Sequence, residues 1–100
     1  RGDAREALEA LPLGSDTLGL ELSVTRGELR AVNDCRLALA DFDRVLAARL
    51  PDALAERALH GRAVCRARTG QHAAARADLD EYLRRFPNGR HAAAAREARR

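Results

Sequence analysis

Lysine, isoleucine, methionine and tryptophan are missing from this sequence, and each absence narrows the reading. All 18 basic residues other than histidine are arginine, which matches the codon bias of a GC-rich genome and discounts the arginine count as a sign of any one site. Aromatics are reduced to Phe42, Phe86 and Tyr82, and β-branched residues are scarce, which removes the material that strands favour. No apolar run approaches the roughly 18 residues that a membrane span needs, and no signal-peptide pattern is present, so direct membrane insertion is not expected. Cysteine is limited to Cys35 and Cys65, with no CxxC and no histidine at ligand spacing, so neither metal nor redox chemistry is signalled. Both are read as small buried hydrophobes, and a disulfide between them is left open. The chain opens on Arg1 without an initiator Met and is read as a piece excised from a longer protein.

What remains is an alanine- and leucine-rich chain of 100 residues, enough for one small domain with a limited core. Alanine and leucine head the helix-propensity ranking, so an all-α fold follows. Charge is uneven. Residues 1–50 hold fewer arginines than acids, whereas residues 51–100 are strongly basic, within a net charge of +3. That asymmetry suits an acidic partner, but so small a net charge is the ordinary mark of a solvated surface.

The chain repeats itself. Gly2 to Leu8, Asn33 to Leu39 and Gly70 to Arg76 each begin with Gly or Asn and carry an alanine five positions on, at Ala7, Ala38 and Ala75. A Gly or Asn suits the left-handed residue that ends one helix, with Asp34 or Gln71 starting the next. Pro12, Pro51 and Pro87 each follow a second helix, where a residue that cannot continue a helix is tolerated. Helices are expected over 3–11, 18–32, 35–49, 52–69, 71–86 and 89–99. Ser15 or Asp16 caps the helix after the loop 13–17. The organisation is one array: a partial repeat over 1–12, repeats over 18–51 and 52–87, and a polar capping helix over 88–100.

This pattern resembles the tetratricopeptide repeat, a family of paired helices with a period of about 34 residues. In the third copy Leu59 takes the place of the family's first-helix aromatic, and Ala63, Gly70, Ala75, Leu79 and Pro87 match its small packing residue, turn, second-helix core and terminator. The second copy offers Leu22, Arg26, Asn33, Ala38, Phe42 and Pro51 in those roles, and the first retains only Gly2, Ala7, Leu11 and Pro12. The resemblance implies antiparallel helix-turn-helix units stacked as a short right-handed superhelix. Arg26, Arg62 and Arg66 depart from it, standing where small, apolar or aromatic residues are the rule. Either the first helices are rotated, or an arginine is buried against Asp41, Asp43 or Asp78. The run from Tyr82 to Ala92 also looks like repeat ends common in bacterial cell-envelope and regulatory proteins; this leaves the compartment open, with the cytoplasm set slightly ahead of the periplasm.

Members of that family bind a peptide or helix on the concave surface lined by first helices, which implies a non-enzymatic scaffold for protein–protein interaction. Carried over, that surface falls on Ser23, Gly27 and Arg30, and on Arg57, His60, Gly61, Val64 and Arg68. Arginines there would pair with carboxylates of an acidic segment, and the glycines would give its backbone room. Solvated arginines on ordinary helices are the competing reading. The cationic clamp of chaperone-binding members is not matched, since lysine is absent and Ser23, Gly27 and Gly61 occupy its places. His60, His72 and His91 share no helix face, so no metal or other cofactor is expected, and no Ser, Cys, His and acid pattern suggests catalysis or a small-molecule substrate. Asp78, Asp80 and Glu81 are read as surface ion pairs. Arg1-Gly2-Asp3 matches an adhesion tripeptide, which is too short to carry weight. The alternatives are nucleic-acid or acidic-surface binding through Arg84, Arg85, Arg90, Arg96, Arg99 and Arg100, disfavoured because aromatic interleaving is missing, and a purely structural spacer. Ala7, Leu8 and Leu11, lacking a first helix to cover them, are expected to form an apolar edge suited to self-association.

Overall fold

The computed structural model describes residues 13–48 and 52–100, and every regular element among them is a helix. These are α1 (Thr17–Arg30), α2 (Cys35–Ala47), α3 (Asp52–Arg68), α4 (His72–Arg85) and the short α5 (Ala92–Ala98). Each packs on the next, and α1 also touches α3. Short connections of this kind make consecutive helices antiparallel neighbours. The expected helix 3–11, the edge formed by Ala7, Leu8 and Leu11, the tripeptide at the start, and Pro12 and Pro51 lie outside the described residues.

Local chemistry sets the helix starts and stops. Asp16, not Ser15, caps α1 by accepting the Gly19 amide at 2.8 Å, and Asp34 caps α2 through the Leu37 amide at 3.1 Å. At the end of α3, Gly70 adopts φ +84°, with Gln71 N–H donating to Arg66 O at 2.7 Å and Gly70 N–H to Ala67 O at 3.2 Å. That pair of bonds is a Schellman stop, which needs a left-handed residue. Asn33 does not follow the same rule. No non-glycine residue described has a positive φ; α1 ends instead by tightening, with Val32 and Asn33 donating back to Leu29 and Arg30.

Two apolar clusters make the core. One gathers Leu20, Val24, Ala38, Phe42, Val45, Leu54, Ala58 and Cys65; the other gathers Leu59, Ala63, Leu79, Tyr82, Ala92 and Ala95; Leu46 packs against both. Phe42 is fully buried between glycines of two helices: a Cβ on Gly27 or on Gly61 would stand 2.8 Å from its Cε1. Cys35 and Cys65 are joined in a disulfide that ties the start of α2 to α3, with Cα atoms 5.0 Å apart.

The departing arginines have partners. Arg26 grips Asp41 with Nη2 at 2.6 Å and Nε at 3.1 Å, and Arg30 Nη1 reaches the same carboxylate at 3.0 Å. Further along the chain Arg62 Nη2 and Arg66 Nη1 hold Asp78 at 2.9 Å each, and Arg62 Nη1 also meets Asp43 at 3.1 Å. Asp41 and Asp78 are only 2% and 3% exposed, so Asp78 belongs to the interior and not to a surface acidic cluster. Burial works against the charge on Arg62, but Asp78 and then Asp43 outweigh it and raise its pKa.

Candidate functional site

The residues assigned to a groove on α1 turn inward. Ser23 is buried and donates its hydroxyl to Gly19 O at 2.9 Å; Gly27 lies under Phe42; Arg30 is committed to Asp41. Positions 20, 23, 24 and 27 form the buried face of α1, the face that packs into the protein, so Ser23 and Gly27 offer a partner no surface. Gly61 of α3 is likewise used to admit the Phe42 ring. Arg57 clasps α3 to α1 through two bonds to Glu28, at 2.7 and 3.1 Å, and one to Thr25 Oγ1 at 3.2 Å. The Glu28 hydrogen bond leads the contributions that raise the Arg57 pKa.

His60, Val64 and Arg68 fall differently. One helical turn apart on α3, they line a trough of about 490 Å³ together with Ala63 and Ala67. The opposite walls come from His72, Ala75, Arg76 and Leu79 on α4, and from Ala94, Ala95 and Ala98 of α5 with the following Arg99 and Arg100. The surface is apolar with a basic rim, and no carboxylate lines it. Arg99 is paired with Asp80 at 2.6 Å and Arg100 with Glu97 at 3.4 Å. Arg68 donates to Ala31 O at 2.9 Å, and Arg76 is exposed and makes no ion pair among the described residues. A shallower groove of about 350 Å³ shares His60, Val64 and Arg68 and continues over Gly61, Glu28 and Val32. The walls supplied by α4 and α5 were not legible from first-helix positions alone; the density of alanines and arginines in the last thirty residues was the available signal.

What holds α5 in place as a wall is a polar knot at the turn before it. Tyr82 Oη donates to Glu56 Oε2 at 2.5 Å and accepts the His91 amide at 2.8 Å, while the Arg90 amide donates to Glu56 Oε2 at 2.7 Å. Gly89 lets this turn approach, since a Cβ there would lie 2.6 Å from Tyr82 Oη. This explains why α5 starts at residue 92 and not 89: residues 87–91 are spent on turns that hook onto α3 and α4. Burial, reinforced by Glu56, pushes the Tyr82 phenol up to about 12. His60 and His91, which share no helix, nevertheless stack with ring centroids 3.8 Å apart and planes 2° from parallel. Burial first, and His91 second, push His60 down to about 4.

Four of the C-terminal arginines have partners within the protein. Arg85 meets Glu81 at 3.2 Å, Arg96 donates to Pro87 O at 2.7 Å, and Arg99 and Arg100 are paired as above. Among the described residues no three His, Cys, Asp or Glu side chains converge in a way that could hold a metal, and no helix is long and apolar enough to cross a membrane. What the trough can do chemically is bury apolar side chains and pair with carboxylates at its rim. A scan against protein-family models, a search of curated proteins and a search of solved structures each returned no match to this chain.

Proposed function

We propose that this chain is a non-enzymatic interaction module of the tetratricopeptide type, and that it binds an acidic segment of a partner protein in the trough between α3, α4 and α5. The observation that carries the binding reading is the composition of that trough: an alanine and leucine floor, four arginines and two histidines, and no carboxylate. A segment with apolar side chains facing inward and carboxylates at the rim would bury its apolar surface and pair with Arg68 and Arg76. Support for the repeat reading comes from the recurrence of one packing unit. Arg26, Arg30, Ala38, Asp41 and Phe42 reappear 36 or 37 positions on as Arg62, Arg66, Ala75, Asp78 and Leu79. In both copies two first-helix arginines one turn apart close on a second-helix aspartate.

Selection of displayed random peptides on the immobilised chain tests this. Enriched peptides should carry Asp or Glu beside Leu or Phe, and their affinity, followed by fluorescence anisotropy, should fall about tenfold in Arg68→Ala/Arg76→Ala as two charge pairs of about 0.5–1 kcal/mol each are lost. No enrichment, or enrichment of peptides that bind the double variant equally well, would overturn the proposal.

A further inference from the structure

The two residues of the Cys35–Cys65 bridge are buried to different degrees. Cys65 is fully buried within the first core cluster, whereas Cys35 is only half-buried at the first residue of α2. Cys35 also forms part of the wall of an open cleft of about 400 Å³ between the α1–α2 turn and the end of α3. Its charged neighbours there are Asp34, Arg36 and Arg68. The Asp34 carboxylate is occupied by the Leu37 amide at 3.1 Å, while Arg68 extends over the bridge with Nη1 4.0 Å from Cys35 Sγ. A reagent entering this cleft meets Cys35, whose Sγ lies 3.8 Å from Ala31 O, and a guanidinium beside it.

We propose that the cleft is a thiol–disulfide exchange site, selective for small anionic thiols, and that the modified residue is Cys35. The incoming thiol ionises and its thiolate attacks Cys35 Sγ, forming a new S–S bond as the Cys35–Cys65 bond breaks. The electron pair of the broken bond stays on Cys65 Sγ, which takes up the proton released by the incoming thiol. One thiol and one internal disulfide become one mixed disulfide and one thiol, with no net oxidation. Two features of the fold favour that product. The guanidinium of Arg68 attracts an anion to the sulfur that is accessible, and Cys65 lies among apolar residues, where a neutral thiol is the form tolerated and a returning attack is slowed. The cleft shares Arg68 with the trough but is otherwise lined by different residues, so exchange at Cys35 is read by adduct mapping and thiol rates, independently of whether a peptide binds.

The test uses the oxidised full chain and three thiols of similar size: mercaptoethanesulfonate, mercaptoethanol and cysteamine. Rates are compared at equal thiolate concentration and low salt, and adducts are located by peptide mass mapping. Expected are a single adduct on Cys35 and a rate for the anionic thiol about fivefold above the neutral one, the size of one charge interaction near 4 Å in water. Cysteamine should be slowest, and the anionic advantage should vanish in Arg68→Ala and persist in Arg84→Ala. Adducts on Cys65, equal rates for the three thiols, an advantage that survives Arg68→Ala, or two free thiols in the oxidised protein would each overturn the proposal. The rate order in the unsubstituted chain stands as a test even if Arg68→Ala folds poorly.

Discussion

At the scale of single residues, the decisive contacts are those that a helical pattern cannot display. Gly27 and Gly61 are three-dimensional partners of Phe42, and nothing in their sequence neighbourhood distinguishes a glycine that admits a ring from one that leaves room for a ligand. In an isolated helix, Gly61→Ala would gain about 1 kcal/mol. Here the added methyl would stand against Cζ of a ring that is buried and flanked by Gly27 on another helix, at an overpacking cost of about 1–3 kcal/mol. Urea unfolding should therefore show Gly61→Ala to be less stable than the parent, with stability restored when Phe42→Leu is added; a stabilised single variant would mean that the ring moves freely. His60 gives a second residue-level prediction. Folding holds its pKa near 4, against 6.5 for the free side chain, so the unfolded chain binds more protons between those values. The His60 contribution is complete above pH 6.5 and is lost as pH falls toward 4. The Tm should drop more steeply over that window in the parent than in His60→Phe, and equal slopes would place the acid sensitivity elsewhere.

At the scale of elements, most of the fold was legible because helices announce themselves locally. Aspartate caps at 16 and 34 and the glycine stop at 70 lie where capping chemistry predicts, and the described helices begin and end within about two residues of expectation apart from α5. Asn33 misled because it is permitted, not obliged, to be left-handed. The arginines at 26, 62 and 66 were legible only as a choice between rotated helices and buried pairing, since the partner lies on another helix. The buried pairing is present: Asp78 takes four hydrogen bonds from Arg62 and Arg66 while almost wholly buried. Surface ion pairs are worth under about 1 kcal/mol, whereas breaking a buried one by removing a partner costs about 3–5 kcal/mol. Because the arginine ends retain some solvent, Asp78→Ala should cost about 3 kcal/mol in urea unfolding. The apolar combination Arg62→Met/Arg66→Met/Asp78→Leu should recover most of that loss. A cost below about 1 kcal/mol for the single variant would return the cluster to the surface class.

At the scale of the whole molecule, the candidate site was legible in half. The α3 stripe of His60, Val64 and Arg68 follows from helical spacing, but the opposite walls depend on where α5 comes to rest. That position is set by one carboxylate reaching across 34 positions of sequence to the Arg90 amide, a relation no local pattern contains. Of the contacts made by α5, its packing on α4 is confined to a few small side chains, with Ala92 and Ala95 its buried residues. Two buried alanines contribute little apolar area, so the polar knot of Glu56, Tyr82 and the 89–91 turn carries a large share of the docking. Glu56→Ala leaves the Tyr82 hydroxyl and the Arg90 amide without their shared acceptor, at about 1–3 kcal/mol. Besides its two buried alanines, α5 is held by the His60–His91 stack, the Arg96 bond to Pro87 O and the Arg99–Asp80 pair, all peripheral to the core, so that loss should appear as local opening and not as global unfolding. Amide hydrogen exchange should accelerate across residues 92–98 while protection in α1 to α3 is unchanged, and peptides selected on the parent should bind Glu56→Ala more weakly although no trough residue has been altered. Unchanged exchange in α5 would mean that its alanine contacts suffice. Uniform acceleration across all helices would mean that α5 is part of one cooperative unit with the core, and its position could not then tune the trough separately.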